Sequence, residues 1–475
     1  MRGAMRDPRR ASAVVVGALL AGGGCSPLRA DATTSIELFR QNAMAHAAPA
    51  PLVQDLCDRT GPRPAGSENE RKAIAWALDK MKALGLQNVR EEPVMVPHWV
   101  RGDEHAELLT PESQRLAITA LGGSVETPEG GLEADVIEVS SLEGIEALPA
   151  DDVRGKIVFV NTPMERTRNE DGYSRAVPVR GGAAVAAAKK GAAAAIIRSI
   201  ATGNARFPHT GHMHYEEGVP KIPAAALSVP DAMLLDRFIK AKKSVRLRMT
   251  VGGRSLPDEP SANVVGEVIG QEKPNEVLLI GAHLDSWDLG TGALDDGAGV
   301  GMVLETGNLI AHAAERPRRT VRVVLFANEE FGLNGGRAYA EAHRAELKDH
   351  VLAIEADFGA GGAYEVSFLA GPAAVQPMAE ISAPLSPLGV GPAVKGELHG
   401  SDLLPLRAAG VPMADVAQDA TTYFDYHHSA DDTFDKIDPP TLAQATAVLA
   451  TFSYAVSRSV HDLGRAPARK PPLSH

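Results

Sequence analysis

The sequence predicts an α/β fold: an α/β/α sandwich on a mixed, mainly parallel sheet, with a separate β-rich module inserted in it. Three observations carry this. After Arg254, apolar strand-like runs alternate with helix-like segments, the pattern of a parallel sheet covered on both faces. Three of those runs end abruptly in His, Asp or Glu. Between Leu121 and Arg254 the texture changes to short strand-like runs broken by Gly and Pro loops, in which no comparable cluster of ligand types recurs.

Composition bounds the answer. At 475 residues the chain exceeds one ordinary core, so two or more domains are expected. With 44% hydrophobic and 23% charged residues it reads as globular. A net charge of −12 offers no basic footprint, so nucleic acid is not an expected partner. At the N-terminus, Arg2, Arg6, Arg9 and Arg10 precede an apolar stretch, Ala11 to Ala21, and then Gly22-Gly23-Gly24-Cys25. That order is a secretory signal, here residues 1–24, whose apolar part is too short to span a bilayer. Cys25 after small residues resembles a bacterial lipoprotein cleavage site, although Gly22 stands where a larger aliphatic residue is usual. Two outcomes stay open: a lipid on Cys25, the one membrane attachment considered, or ordinary cleavage a few residues later. Either way the product is exported, as a periplasmic, outer-membrane lipoprotein or secreted protein. Only Cys57 then remains in the body, so no internal disulfide is expected.

In chain order, residues 25–120 form the N-terminal part of the main domain. Residues 31–50 are an Ala-rich tether running into a helix, and Leu52, Val53, Leu56 and Cys57 keep helical spacing. Thr60 to Ser67 is a Gly/Pro loop. Glu68 to Leu84 is an amphipathic helix with Ile74, Leu78, Met81 and Leu84 on one face, stopped by Gly85. Val89 to Trp99 is extended. The inserted module, 121–254, holds strands at Asp135–Val139, Lys156–Val160, Ala194–Ile197 and Ala224–Leu227, and an Ala-rich helix at Ala183–Lys190. His209, His212 and His214 stand close together there, but no carboxylate sits at useful spacing, so they read as polar loop residues more readily than as metal ligands. From 255 to 465 the strands are Ser261–Ile269, Glu276–Ile280, Thr320–Ala327, Val351–Ala356 and Val411–Val416. The helices are Val300–Ala314, Gly335–Arg344 and Leu403–Ala409, and residues 466–475 are a tail.

Chemistry concentrates in Val277 to Val300, VLLIGAHLDSWDLGTGALDDGAGV. A buried-type strand gives way to His283, Asp285, Asp288, Asp295 and Asp296 just before a helix, where open α/β sheets bind ligands. Asp285 lies two residues from His283, which suits either a carboxylate orienting the imidazole or one orienting the turn. Of the adjacent pair, Asp295 can face the site while Asp296 caps the helix. The next strand ends in Asn328-Glu329-Glu330 and the one after in Asp357. Right-handed connections bring these ends to one edge of the sheet. His428, in the loop after the last strand, completes the set His283, Asp295, Glu330, Asp357 and His428. Two imidazoles and three carboxylates suit Zn²⁺. Five ligands exceed the need of one catalytic zinc and are enough for two ions sharing a carboxylate. Glu329 is the carboxylate left over, placed to act as general base.

The order GAHLDS, LDDGAG, NEE, EAD and HHSADDT resembles the zinc-dependent M28 peptidases, whose fold is a phosphorylase/hydrolase-like α/β/α sandwich with two zinc ions per chain. The resemblance implies that Asp295 and a water bridge the ions, that His283 and Asp357 hold one and Glu330 and His428 the other, and that Glu329 is the base. It also implies a cis bond between Asp295 and Asp296. It selects His428 over His427 because Ser429 follows and Asp432-Thr433 closes the motif. TGPRPAGS, VPHWVRG and ALGGSVETP look like the carboxypeptidase Q branch, which implies that 121–254 is a protease-associated (PA) domain. The expected activity is hydrolysis of small peptides or dipeptides. The alternatives are an aminopeptidase on longer peptides, a single-zinc acyltransferase of glutaminyl-cyclase type, or a binding protein without activity. The inserted module has two roles open to it, shaping the cleft or forming a homodimer interface.

Overall fold

The computed structural model describes residues 27–396 and 400–467, with side chains from residue 35. The signal segment 1–24 and Cys25 lie outside the described residues, as does the tail from 468. Two eight-stranded sheets organise the rest.

The first sheet runs, edge to edge, Gln87–Val100, Arg254–Val268, Arg319–Phe326, Lys273–His283, His350–Glu355, Met413–Gln418, Ala363–Leu369 and Val394–Lys395. Its middle, from Arg319–Phe326 to Met413–Gln418, is parallel. Antiparallel pairs flank it, Gln87–Val100 with Arg254–Val268 on one side and Met413–Gln418 with Ala363–Leu369 on the other. The alternation of strand side chains separates two faces. Leu278, Ile280, Val323, Leu325, Leu352 and Ile354 enter one core cluster, with the helices Ala50–Thr60, Glu68–Ala83, Ala298–Ala311 and Pro439–Arg458. Leu279, Val324, Phe326 and Ala353 enter another, with Tyr339 and Leu406 from Asn334–Ala342 and Leu404–Ala408. Helices on both faces give the α/β/α sandwich.

Local chemistry sets the helix ends. Ser67 accepts the Glu70 N–H at 3.1 Å, and two Glu and two Lys lie in the first and last turns of Glu68–Ala83, complementing its dipole. Asp438 accepts the Thr441 N–H at 3.1 Å, and Pro439 follows at the first helical position. The helix Pro439–Arg458 has no single apolar stripe. Most of it is buried on all sides, and it packs on Ala298–Ala311.

The second sheet runs Gln114–Leu116, Glu104–Thr110, Arg246–Val251, Leu132–Val139, Ile157–Val160, Ala194–Arg198, Ala224–Leu227 and Ile118–Ala120. It thus begins at Glu104, ahead of residue 121. Its longest helix, Asp171–Lys189, starts well before Ala183. Pro178 and Gly181-Gly182 read as breakers, but burial of Ala176, Val179, Ala183, Ala184 and Ala187 outweighs their propensity. The two sheets meet closely. Trp287, from the stretch after His283, is buried in the core cluster of the second sheet. A Cβ on Gly122 would come within 1.9 Å of its ring, so only glycine permits this approach. Arg101 donates to Asp288 through Nε and Nη2, both at 2.8 Å, and Arg166 pairs with Asp425. No helix among the described residues is long and apolar enough to cross a membrane.

Candidate metal centre

Strand register builds the site. His283 ends its strand opposite Phe326, and Gly281 lies opposite Glu355. The residues that follow Phe326 and Glu355, Asn328 to Glu330 and Asp357, therefore emerge beside His283. Asn328 turns the chain in the left-handed region at φ 61°, as His428 does at φ 60°. Such conformations persist where surrounding structure holds them, and they gather at functional sites.

The side chains converge on Asp295. Its Oδ1 lies 3.2 Å from His283 Nε2, and its Oδ2 lies 3.1 Å from His428 Nε2. His283 Nε2 is also 3.6 Å from Asp357 Oδ1, and His428 Nε2 is 2.9 Å from Glu330 Oε2. The five sequence-derived ligand candidates thus form two lobes that share one carboxylate. His427 stacks on His428 with ring centroids 3.6 Å apart, but its Nε2 reaches only Asp295, at 3.4 Å, and its ring is packed by Tyr173, Tyr423 and Phe424. Asp296 accepts the His283 N–H at 3.1 Å and the Gly299 N–H at 3.0 Å. The Asp295–Asp296 peptide bond is cis.

Asp285 does not face the cleft. Its carboxylate accepts the N–H groups of Glu329 at 3.0 Å and Glu330 at 3.3 Å, while His283 Nδ1 is 3.1 Å from its backbone carbonyl. Its Oδ1 is also 3.7 Å from His283 Nδ1, so the structure shows both roles open to it: Asp285 holds the turn of Glu329 and Glu330 and sets its charge beside the imidazole. Glu329 lines a cleft of about 850 Å³ together with Asp295, Glu330, Asp357 and His428, a volume in the range of ligand sites.

Two supports carry roles that the sequence motifs containing them do not disclose. Asp432 accepts the N–H of Leu294 at 2.6 Å and of Asp295 at 3.2 Å, fixing the shared carboxylate from a distant part of the chain. Arg63, fully buried in the Thr60–Ser67 loop, donates to the carbonyls of Leu284, Thr291 and Gly292 at 2.8, 2.5 and 3.0 Å. It closes both ends of the loop between His283 and Asp295. Arg63→Met removes three buried hydrogen bonds and is expected to lower stability by about 3 kcal/mol, at roughly 1 kcal/mol each; the midpoint of urea unfolding reports it. The His209, His212 and His214 trio builds no ligand group with carboxylates among the described residues. His209 donates through Nδ1 to the His427 carbonyl at 2.6 Å, and the ring of His212 lies 4.6 Å from that of Phe331.

Electrostatics shows that the donor set fits divalent cations. Burial works against a charged imidazole at His283, yet Asp357, Asp285 and Asp295 hold its pKa well above the usual value. His428 rises to about 9, burial opposing and Glu330 and Asp295 prevailing. Burial, with the charge of Asp295, pushes Glu330 up to about 7. Burial, with Asp357 and Glu330, raises Glu329 well above the usual range. Carboxylates outnumber imidazoles in a buried space, and that excess is expensive without positive charge. Asp295 Oδ2 and Glu330 Oε1 are also buried without a hydrogen bond. Ligand atoms of His283, Asp295 and Glu330 lie within 4.8 Å of one another, as do those of His283, Asp296 and Asp357 and those of Asp295, His427 and His428.

Comparison with known proteins is consistent with this geometry. Peptidase family M28 matches residues 263–453. Carboxypeptidase Q of Mus musculus is 39% identical over 402 residues, 85% of this chain and 84% of its own length, and that of Homo sapiens is equally similar. The crystal structure of a peptidase M28 precursor from Shewanella amazonensis SB2B superposes with a TM-score of 0.91 at 43% identity, covering 93% of this chain and all of its own. BSAP, a zinc aminopeptidase from Bacillus subtilis, shares the fold at 20% identity and a TM-score of 0.63, covering 88% of this chain and 97% of its own. Identity at this level, along most of the length of both partners, means that the chain belongs to peptidase family M28 and is a peptide hydrolase.

Proposed function

We propose that the protein is an exported, two-zinc exopeptidase acting on dipeptides and other small peptides. The observation that carries this is the division of Asp295, one oxygen toward His283 and the other toward His428. In this reading His283 and Asp357 would hold one ion, Glu330 and His428 would hold the other, and Asp295 would serve both. The bound ions would supply Lewis acidity toward the scissile carbonyl and a water of lowered pKa. Glu329 takes the proton from the attacking water and returns it to the leaving amine. Asp285 holds the Glu329–Glu330 turn in place. Thr210, whose carbonyl is 3.4 Å from His428 Nδ1, orients that imidazole so that Nε2 is free to bind. The second sheet, read as a protease-associated domain, forms one wall of the cleft through Tyr173, Val177 and Arg180. Export rests on residues 2–24.

Metal analysis of purified protein, with hydrolysis of free, N-blocked and C-blocked dipeptides, tests this. About two zinc ions per chain and a preference for free dipeptides are expected. One zinc per chain with cyclisation of N-terminal Gln would replace the reading by the acyltransferase, and faster cleavage of long peptides with a free N-terminus by the aminopeptidase.

A further inference from the structure

Arg180 is a buried cation without a counter-ion. It sits on Asp171–Lys189, in the second-sheet module, and is 8% exposed, yet it lines the same cleft as Glu329 and Asp357. Its Nη2 donates to the Tyr173 hydroxyl at 2.8 Å, its Nη1 to His428 Nδ1 at 3.3 Å, and its Nε has no partner. No carboxylate is within ion-pair distance of it among the described residues. Other well-buried arginines here are satisfied differently: Arg101 by Asp288 and Glu104, Arg322 by Glu267, Arg63 by three carbonyls. A buried charge is ordinarily paired, because leaving it unpaired is costly.

Two further facts point the guanidinium at a ligand. Space is kept for it: a Cβ on Gly211 would lie 2.4 Å from Arg180 Cζ, and Gly211 adopts φ 131°. Its bond to His428 is also conditional. An imidazole that binds a cation through Nε2 carries its proton on Nδ1, which then donates and accepts nothing. Thr210 O is there to receive that proton. Arg180 Nη1 then has no acceptor, and the buried guanidinium has no carboxylate beside it among the described residues. In a peptide substrate the group that pairs with such a cation is a carboxylate.

We propose that Arg180 anchors the free C-terminal carboxylate of the substrate, so that the enzyme selects peptides ending close to the scissile bond, dipeptides above all. This rests on the peptidase reading above. It makes the inserted module a determinant of specificity: the fold of the first sheet supplies the hydrolytic groups and the second supplies the terminus recognition.

The test compares a dipeptide with its C-terminal amide, in wild type, Arg180→Met and Arg180→Lys, with zinc content and melting temperature measured for each. Wild type is expected to prefer the free acid by on the order of 100-fold in kcat/KM, mainly through KM, the scale of losing a charge-assisted pair. Arg180→Met brings that ratio close to one by raising KM for the free acid far more than for the amide, and Arg180→Lys restores part of it. Equal loss on both substrates, or no preference in wild type, overturns the proposal and leaves Arg180 as a support for His428. Calorimetric binding of the same two ligands to Glu329→Gln protein decides independently of turnover. If wild type cleaves neither, the peptidase reading fails. The anchor then stands if the free acid alone binds and Arg180→Met abolishes that binding, and falls otherwise.

Discussion

Glu329→Gln is expected to lower kcat by about three orders of magnitude, within the range of general acid–base catalysis, while zinc content and fold stay as in wild type. The substitution keeps the shape of the side chain and removes only its ability to hold a proton. Glu329 is not among the groups that meet at Asp295, so the substitution removes none of the five candidate ligands. Its backbone N–H, donated to Asp285, is unaffected. The loss should fall on kcat, with KM changed little, because the proton moves in the transition state and not on binding. Steady-state kinetics alongside elemental analysis checks it. Turnover within tenfold of wild type at full metal content would remove Glu329 from the role of base.

Asp295→Ala is expected to be more severe. One carboxylate serves both lobes, so its removal takes a ligand from each. Zinc should fall below two per chain. Activity should fall by at least on the order of 10³ to 10⁴, since several kcal/mol of charge stabilisation are forfeited at 1.36 kcal/mol per decade. Two imidazoles, His283 and His428, also lose the anion between them, and each depends on it for part of its raised pKa. Retention of both ions with near-normal turnover would show that the lobes do not share Asp295.

The parts of this site that could be read from the sequence are those that depend on strand ends. An apolar run followed at once by His, Glu or Asp marks both where a strand stops and what it presents, and parallel connectivity brings such stops together. His283, Glu330 and Asp357 were legible for that reason. Asp285 was only half legible: spacing put it beside His283, but a carboxylate that bonds amides 44 residues away leaves no mark in spacing. Arg180 was not legible, since it comes from a helix in the other sheet's domain whose Pro and Gly residues disguise it. The helix Pro439–Arg458 was missed because burial on every side erases the periodicity by which a helix is recognised. The Glu104–Thr110 strand was missed because alternating charged residues in a short run look like a loop.

Asp432, whose two bonds set the backbone of Leu294 and Asp295, has a consequence for how the site assembles. Met413–Gln418, the last of the first sheet's strands in the sequence, precedes it. Strand pairing alone therefore leaves the shared ligand's backbone unfixed; that takes the closure of two distant loops on each other.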